Sequence, residues 1–537
     1  MADQSGHFQF IVVGAGSAGC VMAAGLSADP DVKVLLLEAG NWDRDPLVHI
    51  PAALPAVAPK EKVNWGYHTE AEPELNNRNL FWPRGKLVGG SSSINGMVYT
   101  RGNKGDYDRW AELGADGWAY DDVLPYFRRS ENNERGASEF HGGSGPLNVT
   151  IAKRTSEISD RFVEAGIQAG YPHNEDFNGS DQEGFGEFDA TVYKGRRWST
   201  ATAFLKKARG RKNLTVITGA LSSRILWEGT RAVGVEYLKD GKTHVARCDR
   251  EVVLSSGAIN SPQLLQLSGV GDPELLRNLG IEVVAARPEV GANLQDHLCV
   301  CLTARIKKPV SHYKWLNPWR GAMAALKYLG TRKGILGEAP LSTGAFFKSD
   351  PALEYADIQL HLTPALVTSH DSSWPDTHGM TVYVNHGHPK SRGSIEITSR
   401  NPETHPKIIA NYLNHPDDLP VLREAVKLTR KVLGQSAFDD LGCTANELAD
   451  GPVTDAAIDE FIRSGGETVY HPVGTCRMGS DANAVVDTSL RVNGVQGVRV
   501  VDASVMPSLI NGNTNAPTIM IAERACELIL GNRAQAF

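Results

Sequence analysis

Phe10-Ile-Val-Val-Gly14-Ala-Gly16-Ser-Ala-Gly19-Cys-Val-Met-Ala-Ala-Gly-Leu26 is the stretch whose reading decides the fold. Four apolar residues run into glycines spaced Gly-x-Gly-x-x-Gly, after which Ala18, Val21, Met22, Gly25 and Leu26 recur at helical spacing. The pattern predicts a strand, a tight turn and a helix, the context a dinucleotide site requires. Glycines permit the turn and a close approach of backbone to ligand, and the helix N-terminus offers unpaired N–H groups and a positive dipole end to a pyrophosphate. A second apolar run, Val34 to Leu37, ends in Glu38, a carboxylate at the distance expected of one that holds ribose hydroxyls. An acid there argues against NADP, whose 2′-phosphate it would repel.

Downstream lies a proline-punctuated loop region, then Gly85-Lys-Leu-Val-Gly89-Gly90-Ser91-Ser-Ser-Ile94-Asn95-Gly96. Such a run can be a flexible surface loop. Flanked by Leu87-Val88 and Met97-Val98, it reads better as backbone lying directly against a ligand, where a larger side chain would collide. From Leu214 the chain turns to short strands: 214–217, 223–226, 232–237 and 251–254. The last enters Ser255-Ser-Gly257-Ala-Ile-Asn-Ser-Pro262, which is either a second phosphate-facing turn or a compact corner. Residues 306–460 read as a different module, with a strand-like alternation at 355–362. It also holds an amphipathic helix near 419–433, with Asp417 and Asp418 to cap its start and Gly434 to end it. Strand character returns at 498–501 before Asp502, and a helix over 518–530 closes the chain.

At 537 residues the chain is long enough for two domains or for one with a large insertion. A net charge of −7 does not suggest a nucleic-acid binder, which would want a basic face. Seven cysteines without a Cys-x-x-Cys pair suit a reducing compartment and offer no metal site. Met1 to His7 lacks the basic and apolar regions of a secretory leader, and no run of eighteen apolar residues occurs. A cytoplasmic protein is expected, with peripheral contact at the inner membrane left open. Oligomeric state is not legible.

The C-terminal region offers His471-Pro-Val-Gly-Thr-Cys476-Arg-Met-Gly479 and Asn513-Thr-Asn-Ala-Pro517. A histidine in a Pro/Gly-rich turn is as readily structural as catalytic. Cys476 reads as packing, and His361, in Gln359-Leu-His-Leu362, as a satisfied strand histidine.

Four blocks in order resemble the glucose-methanol-choline (GMC) family of FAD-dependent oxidoreductases: Gly14 to Gly19 with Glu38; Gly85 to Asn95; Gly257 to Gly271; and His471 to Gly479 with Asp502 and Asn513. The resemblance covers essentially the whole chain. It implies an α/β fold (α+β overall), with a Rossmann-like FAD-binding domain over 6–155, 196–305 and 463–537. A substrate-binding domain of antiparallel sheet and helices is implied over 156–195 and 306–462. It implies FAD held by Gly14, Gly16, Ser17, Ala18, Gly19, Glu38, Ala39, Trp65, Arg84, Gly89, Gly90, Ser91, Asn95, Gly96, Val98, Ala220, Ser256, Gly257, Tyr470, Asp502, Ala503, Asn513 and Thr514. Some relatives tether FAD to a histidine just before the asparagine of the second block; Ile94 stands here, so non-covalent FAD is expected.

The family presents a His-His or His-Asn pair to flavin N5, which here would be His471 and Asn513. An alcohol gives up hydride once its hydroxyl proton is leaving, and a neutral imidazole can accept that proton. Asn513 would donate to the developing alkoxide. The expected reaction is therefore oxidation of a primary alcohol to its aldehyde with hydride transfer to FAD. Electrons would then pass to a quinone, another electron carrier or O2, a non-oxygen acceptor being the main expectation. The chain is similar to the choline and medium-chain alcohol dehydrogenases of the family. Choline-type relatives carry an acid where Ser342 stands in Leu341-Ser-Thr-Gly-Ala-Phe346, which favours neutral aliphatic or aryl alcohols. An O2-using oxidase, choline dehydrogenase and a hydroxynitrile lyase that binds FAD without using its redox chemistry are the alternatives.

Overall fold

The computed structural model describes residues 7–367, 377–445 and 453–531. The N-terminal residues 1–6, read above for a leader, and segments 368–376 and 446–452 of the expected substrate-binding domain lie outside the described residues.

The first sheet grows from β1 (His7–Val13), whose last four residues are buried, and β2 (Val34–Glu38), which is buried throughout. Continuous apolar runs of this kind suit parallel strands covered on both faces. The two pair in parallel from Phe10 opposite Val34 to Val13 opposite Leu37, joined through helix α1 (Ser17–Leu26). Three further strands, β3 (Leu214–Thr218), β4 (Leu221–Glu228) and β5 (Arg231–Lys239), precede the long β6 (Lys242–Leu254). Their order across the sheet is β3-β2-β1-β6-β5-β4. The second half of β6 runs parallel to β1 and to strand Val498–Val500, whereas its first half is antiparallel to β5. The parallel strands thus end together at Val13, Glu38, Leu254 and Val500. Open α/β sheets bind ligands outside such carboxyl ends.

The second sheet is antiparallel: β7 (Leu298–Ile306), β8 (Thr343–Phe347), β9 (Ile358–Thr363) and β10 (Gly379–His386) are flanked by strands Cys443–Ala445 and Gly184–Glu187. β7 pairs along its length with β10, and Glu467–Thr468 adds to its start. Because β7 belongs here, we propose dividing the chain just before residue 298 rather than at 305/306.

Four more helices place the remaining parts: α2 (Gly257–Leu267), α3 (Pro318–Thr331), α4 (Asp418–Leu433) and α5 (Asn515–Leu530). Of the stripe expected from its spacing, α4 buries Leu422, Ala425, Val426, Thr429 and Val432, while Leu433 is partly buried. Its capping differs from expectation. Asp417 makes no side-chain cap, and Asp418 instead accepts from the Lys390 and Ser391 backbone N–H groups, tying the helix to the turn after β10. The two sheets carry separate apolar cores, one around β1, α1 and α5 and the other around β7, β9, β10 and α4.

Candidate active site

A cavity of about 750 Å³ lies where the two sheets face each other, with walls drawn from both. Gly14, with φ +95°, opens its floor; a Cβ there would sit 2.6 Å from the Ser255 carbonyl oxygen. Gly90, with φ +51°, crosses so close that its Cβ would lie 2.6 Å from the Gly16 Cα. Two glycine turns therefore stack backbone on backbone, and no side chain caps the first turn of α1 or of α5. The unpaired amides and positive helix ends aim at one wall. Glu38 ends β2 with Oε2 accepting from the Ala15 N–H and Oε1 from the Gly40 N–H, each at 2.8 Å. Burial pushes its carboxyl up to about 7, against the pull of those two amides.

Gly14, Gly16, Ser17, Ala18, Glu38, Ala39, Trp65, Arg84, Gly90, Ser91, Asn95, Gly96, Val98, Ala220, Ser256, Gly257, Tyr470, His471, Asp502, Ala503, Asn513 and Thr514 all line this cavity. Two expected contacts sit behind its wall. Gly19 is pressed onto the turn, where a Cβ would meet the Gly14 carbonyl oxygen at 1.8 Å. Gly89 donates its N–H to the Ala15 carbonyl at 2.7 Å and so fastens one glycine turn to the other. Asp502 also works inward: its two oxygens accept from Gly257 N–H, Ser261 Oγ, Ser504 N–H and Ser504 Oγ, leaving it a clasp between α2 and the C-terminal segment. Asn95 Oδ1 accepts from Arg197 at 2.8 Å and holds the serine-rich turn in place.

The cradle fits FAD. Besides the glycine floor and the open N-terminus of α1, Ser255 Oγ is buried on the cavity wall with no partner among the described residues.

On the opposite side, His471 is 9% exposed. Asn513 Nδ2 lies 3.1 Å from His471 Nε2, His471 Nδ1 lies 3.0 Å from His297 Nδ1, and His297 Nε2 lies 3.0 Å from the Gly387 carbonyl oxygen. A carbonyl only accepts, so His297 carries its proton on Nε2 and accepts at Nδ1. His471 then donates from Nδ1 and presents a bare Nε2 to the amide of Asn513. Burial holds His471 well below the usual histidine range, helped by His297, His361 and Arg84, and pushes His297 down to about 3. Both rings are neutral at pH 7.

His471 follows Tyr470, a non-glycine residue with φ +68°. Asp296 fixes this strained corner, accepting from the His471 N–H at 2.6 Å, from Thr468 Oγ1 at 2.5 Å and from the Tyr412 hydroxyl. Arg84 also grips it, donating Nη2 to the Tyr470 carbonyl at 2.6 Å. Asn513 is oriented by Thr100 Oγ1, which accepts from its N–H at 2.9 Å, and by Gln359 Nε2, which donates to its Oδ1 at 3.1 Å.

Sequence reading does not find Asp296, His297, Thr100 or Gln359. The only signal is the polar run Gln295-Asp-His297 before an apolar strand. His361 is partnered as expected, accepting from Asn385 at 2.9 Å, but it also stands on the cavity wall beside Asn513. Ser342 is buried at 1% exposure and is not on the wall, so its lack of charge says nothing about the substrate. Glu338, four residues earlier, does line the cavity. Cys476 is packed in the core and, like the other six cysteines, is unbridged.

A parallel-sheet dinucleotide cradle facing a neutral His-Asn pair defines a flavin-dependent oxidoreductase. Family comparison agrees: the GMC oxidoreductase N-terminal model matches residues 8–299 and the C-terminal model residues 389–522. The chain belongs to the GMC oxidoreductase family, and it is an FAD-dependent alcohol oxidoreductase. It is 46% identical to the mitochondrial choline dehydrogenase of Mus musculus, over 98% of this chain and 90% of that protein. It is also 46% identical to the oxygen-dependent choline dehydrogenase of Pseudomonas aeruginosa (strain LESB58), over 98% and 96%. Among solved structures, pyridoxine 4-oxidase from Mesorbium loti superposes with a TM-score of 0.87 at 32% identity, covering 97% of this chain and 98% of that one. A formate oxidase variant from Aspergillus oryzae RIB40 gives 0.92 at 26%, covering 98% and 99%.

Proposed function

We propose that this protein oxidises the primary hydroxyl of choline, or of a closely similar cationic alcohol, to the aldehyde. The observation that carries the chemistry is the bare Nε2 of His471, held 3.1 Å from the Asn513 amide on the cavity wall. An alcohol hydroxyl placed between them gives its proton to Nε2 while Asn513 donates N–H to the oxygen as it gains negative charge. The Nδ1–H of His471 is tied to His297, so the ring cannot turn its basic nitrogen away. FAD bound in the cradle supplies the two-electron acceptor for the hydride leaving the alcohol carbon.

The near full-length identity to choline dehydrogenases supports a cationic substrate. So do Glu338 and Trp315 on the cavity wall, a carboxylate and an aromatic face that suit a quaternary ammonium. Glu338 has Lys153 at 3.9 Å, and burial together with the nearby Glu134 raises its carboxyl. Neutral aliphatic or aryl alcohols are the second reading, favoured by the apolar stretch of wall from Ile335, Leu336, Leu341, Leu366 and Val367.

The test is anaerobic mixing of purified holoprotein with choline, butanol or benzyl alcohol while flavin absorbance is followed. Bleaching by choline at far lower concentration than by either neutral alcohol is expected. A Glu338→Gln protein should raise KM for choline and leave that for benzyl alcohol unchanged. Preferential bleaching by neutral alcohols would establish the second reading. Recovery of colour on opening to air would assign an oxidase, and recovery only with an added quinone or dye a dehydrogenase.

A further inference from the structure

Helix α3 faces the wrong way for a surface helix. Trp319, Met323, Leu326 and Leu329, at spacings of four, three and three, are 83%, 64%, 64% and 67% exposed. Its inner side is held by Tyr328, buried with its hydroxyl donating to the Gly195 carbonyl at 3.0 Å. Large apolar side chains grouped on one exposed face mark a contact surface.

Charge around this face is equally one-sided. From His297 to Gly337 the chain has eight Lys or Arg and no Asp or Glu, in a protein of net charge −7. Lys314, Arg320, Lys327, Arg332 and Lys333 make no ion pair among the described residues. On the helical wheel Arg320 and Lys327 fall on the flank of the apolar face, not opposite it. Apolar centre, aromatic residue and cationic flank are the arrangement of a helix lying in the interface of an anionic bilayer. No helix of the described residues is long and apolar enough to cross one.

We propose that α3 docks the protein on the surface of an anionic phospholipid bilayer, lying in the plane of the headgroups. The docking places the cavity mouth at the membrane. Trp315 and Leu316 before the helix, and Ile335 and Leu336 after it, are cavity-wall residues. A lipid-soluble electron acceptor could then approach without crossing water. The inference stands on the helix and its charge, and holds whichever alcohol is oxidised.

The test is sedimentation of the holoprotein with vesicles of phosphatidylglycerol and phosphatidylcholine, against vesicles of phosphatidylcholine alone. Binding is expected to the anionic vesicles, with at least a tenfold fall in partitioning between 50 mM and 500 mM salt. Lys327→Glu should weaken it on the order of fivefold or more, the effect of one Lys or Arg near the surface. A quadruple Trp319→Ser, Met323→Ser, Leu326→Ser, Leu329→Ser protein should lose binding at least tenfold while keeping alcohol oxidation with a water-soluble dye. Any of three results overturns the proposal: no binding by wild type, equal binding by the quadruple variant, or a wild-type dimer that the quadruple variant abolishes in a protein indifferent to vesicles. The last would show the face covered by a second copy.

Discussion

Each ring nitrogen of His471 is committed, Nδ1 toward His297 and Nε2 toward Asn513. That arrangement suits it to the proton-accepting role we propose, its neighbours fixing both its tautomer and its aim. Removing the imidazole while keeping the fold should lower the rate of flavin reduction by alcohol about 10²- to 10⁴-fold, the usual worth of a positioned general base. Anaerobic stopped-flow of His471→Ala with FAD retained is the measurement, and a rate near wild type would remove His471 from the chemistry. At residue 94 the expectation concerns attachment. Ile94 lines the cavity with a side chain that has no nucleophilic atom. Acid precipitation should therefore leave the flavin in the supernatant; a yellow pellet would show a covalent link. The roles proposed for His471 and Asn513 were legible only by resemblance, because a histidine in a turn carries no signal of its own. His297 left only the signal of the polar run Gln295-Asp-His297, since nothing local ties it to a residue 174 positions away.

At the scale of elements, the glycine turns after β1 and before residue 95 act as one unit. Gly90→Ala would place a methyl 2.6 Å from the Gly16 Cα at a left-handed backbone position, so one turn must withdraw from the other. Overpacking of this kind costs about 1–3 kcal/mol. The variant should show a lowered Tm and, in titration of the apoprotein, at least a tenfold weaker affinity for FAD; unchanged affinity would mean that the turns do not jointly shape the cradle. This part of the fold was legible because its glycine spacing and its parallel, wholly apolar strands leave a pattern. In the antiparallel sheet only β9 was read from its alternation, although β7 (Leu298, Val300, Leu302, Ala304) and β10 (Met380, Val382, Val384) alternate in the same way and all three are buried on nearly every residue. α3 was passed over although Trp319, Met323, Leu326 and Leu329 recur at helical spacing; only the structure shows that this stripe points outward.

Across the whole molecule, the two sheets meet around a cavity that keeps several histidines from water. Burial pushes His297 down to about 3 and His312, His361 and His386 to about 4, and holds His471 well below its usual range. Unfolded, each takes up a proton near pH 6.5. Below that pH the unfolded chain binds protons that the folded one refuses, so each histidine withdraws about 1 kcal/mol of stability per pH unit until its folded value is reached. Three buried acids act in the opposite sense: Glu38 and Glu523 are pushed up to about 7 and Asp296 to about 6, so folding favours their protonated forms between roughly pH 4 and 7. His378 and His405 are lowered too, and Glu72, Asp189, Glu338 and Asp502 raised, so the balance over the shared window rests on the groups shifted furthest, five histidines against three carboxyls. On the alkaline side, burial works against the charge of His141, but its hydrogen bonds to Asp176 and Glu131 raise it to about 9. That contribution is complete below pH 6.5 and is lost as pH climbs through 9. Stability should therefore peak near neutrality, with Tm falling between pH 6.5 and 4.5 and again above pH 8. Calorimetry of the holoprotein across this range checks it, and a Tm that rises from pH 6.5 to 5 would mean that the buried acids, not the buried histidines, govern the acid limb.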